Sequence, residues 1–73
     1  MEHIRLYTIT SCMECEKTKR FLQQEGIDYY EINVLEYPER QEDLFKYAGE
    51  FLVPLLVCHD KVYTKEIIAK AKQ

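Results

Sequence analysis

The sequence contains no tryptophan, and only two glycines, two prolines and three cysteines occur among its 73 residues. So little glycine and proline excludes a collagen-like or low-complexity chain, and three cysteines are too few for a disulfide-rich scaffold. No apolar run approaches the length of a membrane span, and residues 1–10 lack the basic and apolar segments of an export signal. An odd number of cysteines without such a signal is typical of a reducing compartment. We therefore expect a cytoplasmic protein that contacts no membrane.

The charge balance is mildly acidic, with 13 acidic against 10 basic side chains and a formal net charge of −3. Nucleic acids and anionic lipids select basic surfaces, so we expect neither as the main partner. Hydrophobic residues make up 47% of the chain, as in soluble globular proteins. A chain of 73 residues can form one small core, which predicts a single domain over residues 1–73.

The hydrophobic pattern changes its period about every ten residues, which indicates alternating strands and helices. Strands are predicted over residues 3–8, 29–34 and 51–58 and from Lys61 to Tyr63, and helices between Ser11 and Gly26, between Pro38 and Gly49, and after Thr64. A helix between the first two strands implies a right-handed parallel crossover. The predicted fold class is therefore α/β, in the order β-α-β-α-β-β-α, with three helices covering a four-stranded sheet.

Three of these elements have a predicted buried face. The inward residues are Cys15, Thr18, Phe21 and Leu22 in the first helix, Gln41, Leu44, Phe45 and Ala48 in the second helix, and Tyr30, Ile32 and Val34 in the second strand. Ser11 and Glu14 have the spacing of a capping box, which would place Cys12 at the first helical position. Gly26 suits a left-handed helix stop, in which Ile27 closes onto Leu22.

Two cysteines lie three residues apart in the segment SCMEC, at the junction between the first strand and the first helix. Disulfide exchange requires a thiolate, and the unpaired N–H groups at a helix N-terminus stabilise an anion, which favours Cys12 as a nucleophile. Cys15 is close enough along the helix to reach the sulfur of Cys12 and resolve a mixed disulfide. The spacing therefore predicts a redox pair, with metal binding and inert packing as the alternatives.

The order of elements, with YTITSCMEC at the end of the first strand and LVP at the third, resembles the thioredoxin superfamily and in particular its glutaredoxin-like branch. The resemblance implies a thioredoxin-like fold with a mixed sheet. It also implies that Cys12 attacks a disulfide, that Cys15 resolves the mixed disulfide, and that Pro54 is cis and faces the cysteines.

The same resemblance implies where substrates bind and what they are. It places substrate contacts at Ser11, Met13, Val53 and Pro54. The implied substrates are disulfide-containing proteins or small disulfides, and the electron donor is glutathione, as a co-substrate, or a reductase enzyme. We expect a monomer with no tightly bound cofactor and no metal.

The sequence departs from the family pattern at three places, and the last two weaken the case for glutathione. Met13 and Glu14 stand between the cysteines, where glutaredoxins usually carry proline and an aromatic residue. Ile9 occupies the place of a lysine that helps to hold glutathione, and the segment VYTKEI occurs where a pair of glycines would follow the last strand. Because the Glu14 carboxylate disfavours a nearby thiolate, we predict a potential toward the thioredoxin end, about −230 to −270 mV.

Two other function classes remain open at this point. In a metal or iron–sulfur module, Cys58, His59 and His3 would join the cysteine pair as ligands. Adjacent strand residues point to opposite faces, however, so Cys58 and His59 are poorly placed for one metal, and Cys58 is predicted to be a core residue. A cluster shared by two chains through Cys12 is a variant of this class. The other class is an adaptor that holds a partner in the groove by Pro54.

Overall fold

The computed structural model describes residues 4–59 and 61–64. Its elements are, in chain order, β1 (Ile4–Thr8), α1 (Met13–Gln24), β2 (Tyr30–Asn33), a 3₁₀ turn (Pro38–Arg40) that leads into α2 (Gln41–Ala48), β3 (Leu55–Cys58) and β4 (Lys61–Thr64). The predicted order is confirmed as far as β4, although the third strand begins only after Pro54, which has no N–H to donate to a ladder. The helix predicted after Thr64 falls outside the described residues.

The four strands form one mixed sheet in the order β2-β1-β3-β4. Strands β1 and β2 are parallel, as a crossover through α1 requires, whereas β3 is antiparallel to both β1 and β4. The strand ends at Thr8, Asn33 and Leu55 therefore lie together. We call this the cysteine end of the sheet, because the loop that carries Cys12 follows Thr8.

Successive strand residues face opposite sides of the sheet, so a helix on each side is needed to bury both. Helix α1 covers one side, where Leu22 packs with Leu6 and Leu56. On the other side, Leu44 of α2 packs in a larger cluster with Tyr7, Ile32, Val34, Leu55 and Val57. The cysteine loop is thereby attached to a strand that is buried on both faces.

Helix α1 ends as predicted at Gly26, which has a left-handed φ of 68°. The Gly26 N–H donates to the Gln23 carbonyl at 3.2 Å, and the Ile27 N–H donates to the Leu22 carbonyl at 2.9 Å, which is the two-bond Schellman pattern. Ile27 also packs beside Leu22. The predicted inner face is confirmed by the burial of Cys15, Thr18 and Leu22 and by the packing of Phe21 against the same cluster.

Two predicted core residues are exposed instead. Phe45 is 55% exposed, because the inward stripe of α2 runs through Leu44, Tyr47 and Ala48, at spacings of three and four residues. Tyr30 is 52% exposed, because it begins β2 at the edge of the sheet. In both cases the helix or strand was predicted correctly, but an exposed residue was assigned to its buried face.

Candidate active site

The cysteine loop, residues 9–12, joins the end of β1 to the start of α1. Ser11 in this loop has a left-handed φ of 60°, which is uncommon for a residue with a side chain. Cys12 follows in an extended conformation and is the N-cap residue of α1. The capping box predicted for Ser11 and Glu14 is therefore wrong, and Cys12 lies one position before the first helical residue. The turn at Ser11 removes that serine from the cap position and leaves it to the cysteine.

The Cys12 sulfur itself caps the helix. Its Sγ accepts a hydrogen bond from the Cys15 N–H at 3.1 Å, which satisfies one of the N–H groups that have no partner within the first turn. In the reduced protein the same N–H and the positive end of the helix dipole favour the thiolate form of Cys12. The role of Cys12 as the attacking cysteine stays a prediction at this point.

A disulfide joins Cys12 to Cys15, and their Cα atoms are 5.2 Å apart. The two residues differ in accessibility, because Cys15 is 1% exposed on the inner face of α1, whereas Cys12 is half-buried. Cys12 is therefore the more exposed member of the pair, and Cys15 is shielded from solvent.

Pro54 lies at the cysteine end of the sheet. The Val53–Pro54 peptide bond is cis, as the family resemblance implies. Tyr7 pairs with Leu55, so the next residues along the two strands, Thr8 and Pro54, adjoin where the cysteine loop begins. Pro54 is buried, and Val53 packs against the core cluster around Tyr7. The fold thus brings Pro54 and the cysteine loop to the same end of the sheet.

The two remaining predicted site residues flank Cys12 on either side. Ser11 is exposed, and Met13 is 75% exposed. An exposed thioether offers an adaptable apolar contact to an approaching chain. A role of Ser11 and Met13 in substrate binding stays a prediction.

Sequence reasoning missed a hydrogen-bonded link between β1, β2 and α1. The buried Thr8 hydroxyl donates to the Glu31 carboxylate at 2.9 Å, and Lys19 of α1 donates to the same carboxylate at 3.2 Å. Hydrogen bonds to Glu16 and then to Glu31 raise the pKa of Lys19, which keeps the amine charged. The one signal that could have pointed to this link is a threonine at the last position of a buried strand, since a buried hydroxyl requires a partner.

Asn33, at the end of β2, was also missed. Its Nδ2 donates to the Thr10 hydroxyl oxygen at 3.1 Å, and its Oδ1 accepts the N–H groups of Leu35 at 2.9 Å and Glu36 at 3.3 Å. The side chain thus joins the turn after β2 to the cysteine loop.

Comparison with known proteins identifies the family of this chain. The glutaredoxin family model matches residues 4–63. The chain belongs to the glutaredoxin family. The glutaredoxin-like protein NrdH of Escherichia coli K12 is 35% identical over 57 residues, which cover 78% of this chain and 69% of that protein. The glutaredoxin-like 8.6 kDa protein of the rubredoxin operon of Clostridium pasteurianum is 28% identical over 53 residues, or 73% of this chain and 71% of that protein.

Solved structures of relatives confirm the thioredoxin-like fold. NrdH-redoxin from Escherichia coli matches with a TM-score of 0.75 at 30% identity, covering 92% of this chain and 91% of that chain. The glutaredoxin from Archaeoglobus fulgidus matches with a TM-score of 0.80 at 26% identity, covering 100% of this chain and 88% of that chain. Together with the Cys12–Cys15 pair, this membership makes the protein a thiol-disulfide oxidoreductase. Members of the glutaredoxin family act on disulfides with a reductant and generally need no tightly bound cofactor.

The third cysteine, Cys58, is remote from the Cys12–Cys15 pair. Cys58 is free, only half-buried, and pairs with Ile4 at the start of β1, whereas Cys12 follows the other end of that strand. The length of β1 alone separates these ends by about 13 Å, so a metal site that uses both cysteines does not fit the fold. In residues 4–59 and 61–64, no three His, Cys, Asp or Glu side chains are grouped as a metal site requires. No helix in the same part of the chain is long and apolar enough to cross a membrane.

A second network of polar side chains lies on the face of the sheet that α2 covers. The Tyr7 hydroxyl donates to Asp43 Oδ2 at 2.8 Å, and Arg40 Nε donates to the same oxygen at 2.9 Å. Burial, followed by the bond to Asp43, raises the pKa of Tyr7. Burial alone would raise the pKa of Asp43, but the hydrogen bonds from Tyr7 and Arg40 lower it below its usual range. These hydrogen bonds link β1, the strand that precedes the cysteine loop, to α2.

A cavity of about 320 Å³ lies beside the edge strand β2 and is lined in part by Tyr30, Tyr37 and Glu39. Its lining includes neither the cysteine loop nor Pro54. This cavity is therefore not part of the redox site.

Proposed function

We propose that this glutaredoxin-family protein is a monomeric, cytoplasmic dithiol reductase of disulfide-containing proteins, in which residues 1–73 form a single domain. Cys12 attacks the substrate disulfide, Cys15 resolves the mixed disulfide, and a reductase of the thioredoxin reductase type restores the pair. The observation that carries the proposal is the asymmetry of the pair, since Cys12 caps α1 and is partly exposed whereas Cys15 is buried.

The reaction transfers two electrons to the substrate. The Cys12 thiolate attacks one sulfur of the substrate disulfide, forms a mixed disulfide, and displaces the other substrate sulfur as a thiolate that takes up a proton. Cys15 then loses its proton, attacks the Cys12 sulfur and displaces the second substrate thiolate. The substrate ends as a dithiol, and the protein ends with its Cys12–Cys15 disulfide, which a two-electron donor must reduce before the next cycle.

Substrate proteins are proposed to dock against Ser11, Met13 and Val53, and the buried Pro54 contributes to this site through its backbone. The residues before Leu55 lie outside the ladder between β1 and β3. An extended substrate segment can therefore form main-chain hydrogen bonds beside Val53, in the manner of an added strand. The exposed Met13 side chain supplies an apolar contact next to the reacting sulfur.

Two observations favour a thioredoxin-type electron donor over glutathione. The side chain of Ile9 packs against the core cluster around Tyr7, so the position offers no cation to a glutathione carboxylate. In addition, the NrdH-redoxin of Escherichia coli, at 30% identity, is described as having a thioredoxin-like activity profile. Glutathione as a co-substrate is the competing proposal, and the experiment below separates the two.

The deciding experiment is the equilibrium potential of the Cys12–Cys15 pair in glutathione buffers, with mass analysis of any adduct. A Cys58→Ser background keeps the third thiol out of the analysis. We expect a reversible two-electron couple at about −230 to −270 mV with little adduct on Cys12. In this background Cys15→Ser should retain a mixed disulfide on Cys12, because no thiol resolves it, and Cys12→Ser should form none. A persistent adduct with both cysteines present would make glutathione the donor, and the absence of a reversible couple would overturn the redox function.

A further inference from the structure

Two hydrogen bonds from the end of β2 hold the chain where β1 passes into the cysteine loop. Beyond the last paired strand residues, the Val34 N–H donates to the Thr8 carbonyl at 3.0 Å. The Asn33 side chain then donates from Nδ2 to the Thr10 hydroxyl oxygen at 3.1 Å. These contacts fall at Thr8, the last residue of β1, and at Thr10, immediately before the left-handed turn at Ser11, so the end of β2 supports the segment that leads into Cys12.

The Asn33 side chain has its orientation set independently of the cysteine loop. Its Oδ1 accepts the N–H groups of Leu35 at 2.9 Å and Glu36 at 3.3 Å, which closes an Asx turn. The Asn33 carbonyl also accepts the Tyr37 N–H at 3.0 Å. Because two N–H donors require the amide oxygen on the side of this turn, the amide nitrogen is directed to Thr10. Asn33 is therefore a fixed point from which the loop can be held.

The loop requires such support at Ser11. A φ of 60° is a conformation that residues with a side chain adopt only where the surroundings hold it. If Ser11 relaxed to an ordinary backbone conformation, Cys12 would leave the end of α1, and its sulfur would lose the Cys15 N–H that it accepts at 3.1 Å. The contacts next to Ser11 thus determine how fully the capping geometry of Cys12 is populated.

We propose that Asn33 is a positioning residue for the attacking cysteine. By holding Thr10 it keeps the turn at Ser11 in place, and so keeps the Cys12 sulfur at the helix N-terminus where its thiolate is stabilised. Asn33 acts through Thr10 and Ser11 and not by contact with the sulfur. The inference rests on the proposed function, in which Cys12 is the attacking thiol.

The pH profile of Cys12 alkylation in the reduced protein tests this role, with iodoacetamide as the probe and mass analysis of the peptide that contains Cys12. Thr10→Val preserves the shape of the side chain but removes the hydroxyl that Asn33 binds. We expect the midpoint of the profile to move up by roughly half a pH unit to one unit, which corresponds to the loss of one hydrogen bond. Thr10→Ser restores the hydroxyl and should restore the wild-type midpoint.

Two further variants separate positioning from a general loss of stability. Asn33→Ala should shift the midpoint as Thr10→Val does, and the double variant should shift it no further, because both changes break the bond between Asn33 and Thr10. Asn33→Ala also removes the bonds to the Leu35 and Glu36 N–H groups, so we expect it to lower the unfolding midpoint more than Thr10→Val does. Tyr29→Phe is the matched control, since it removes an exposed hydrogen bond from Gln23 near the far end of α1. A purely structural role would lower the unfolding midpoint of the Thr10 and Asn33 variants without moving the alkylation profile.

The outcomes distinguish this inference from the function on which it rests. A wild-type midpoint in Thr10→Val, with Cys12 still alkylated faster than Cys58, would refute the positioning role and leave the attacking role of Cys12 intact. If Cys12 of the wild-type protein reacts no faster than Cys58 across the profile, the attacking role itself fails, and the positioning role fails with it. The expected shift in Thr10→Val and its reversal in Thr10→Ser would support both.

Discussion

Glu14 lies between the two cysteines, in the first turn of α1, where a negative charge disfavours a thiolate at Cys12. The side chain is half-exposed and paired with Lys17 at 3.7 Å, so solvent and the ion pair weaken this repulsion. We expect Glu14→Gln to stabilise the thiolate of the reduced protein and to raise the potential of the pair by about 10 mV, which is about 0.5 kcal/mol. Equilibration in glutathione buffers measures the shift.

The matched control for this residue is at the other end of the same helix. Glu25 is the C-cap of α1, so Glu25→Gln changes the net charge equally but far from Cys12. Its potential should equal that of the wild-type protein, and the effect of Glu14→Gln should shrink as salt is added. Equal shifts in the two variants would mean that net charge, and not the position of Glu14, sets the potential.

Among individual residues, the two cysteines could be predicted from the sequence, but the hydrogen bonds that support the cysteine loop could not. The two cysteines are three residues apart, so local spacing and helix signals are sufficient to place them. The bonds from Thr8 to Glu31 and from Asn33 to Thr10 each join residues 23 apart in the chain. Such bonds depend on the register between β1 and β2, and the strand patterns alone do not specify which residues face each other.

At the scale of elements, the end of α1 depends on the backbone of Gly26. Its φ is 68°, and a Cβ added there would meet nothing within 4 Å, so the cost of a substitution comes from the left-handed conformation alone. We expect Gly26→Ala to lower the free energy of unfolding by about 1 kcal/mol, and Gly26→Asn by less, because asparagine tolerates this conformation. Urea unfolding curves measure both variants. Equal losses would indicate that packing, and not backbone conformation, sets the cost.

The two ends of α1 show which helix boundaries can be predicted from the sequence and which cannot. The C-terminus follows from the conformational freedom of Gly26, which is a property of the residue itself. The N-terminus was misplaced by one residue, because Ser11 and Cys12 can both cap a helix and a turn supported from β2 selects the cysteine. Phe45 was predicted to be in the core, but it is exposed. The helical pattern does not determine the rotation of α2 about its axis to within one residue, and tertiary packing sets that rotation.

At the scale of the whole molecule, the network of Tyr7, Asp43 and Arg40 joins the central strand to α2 and makes stability depend on pH. Folding lowers the pKa of Asp43, because the hydrogen bonds from Tyr7 and Arg40 outweigh burial. Its contribution is therefore present above the carboxyl pKa of the unfolded chain, about 4, and is lost as the pH falls through the lower folded value. Burial and the bond to Asp43 raise the pKa of Tyr7, so its contribution is present below about pH 10 and is lost as the pH rises through the higher folded value.

Urea unfolding across the pH range tests this network with two variants. Asp43→Asn can still accept the Tyr7 hydroxyl but cannot be protonated, so we expect its stability to fall less steeply than that of the wild-type protein below about pH 4. Tyr7→Phe cannot ionise, so we expect it to lose less stability than the wild-type protein above about pH 10. Glu42→Gln, at an exposed carboxylate of the same helix, is the control that should follow the wild-type curve. If Asp43→Asn and the wild-type protein lose stability in parallel below pH 4, the acid sensitivity arises elsewhere in the chain, and the bonds to Tyr7 and Arg40 do not couple the charge of Asp43 to folding.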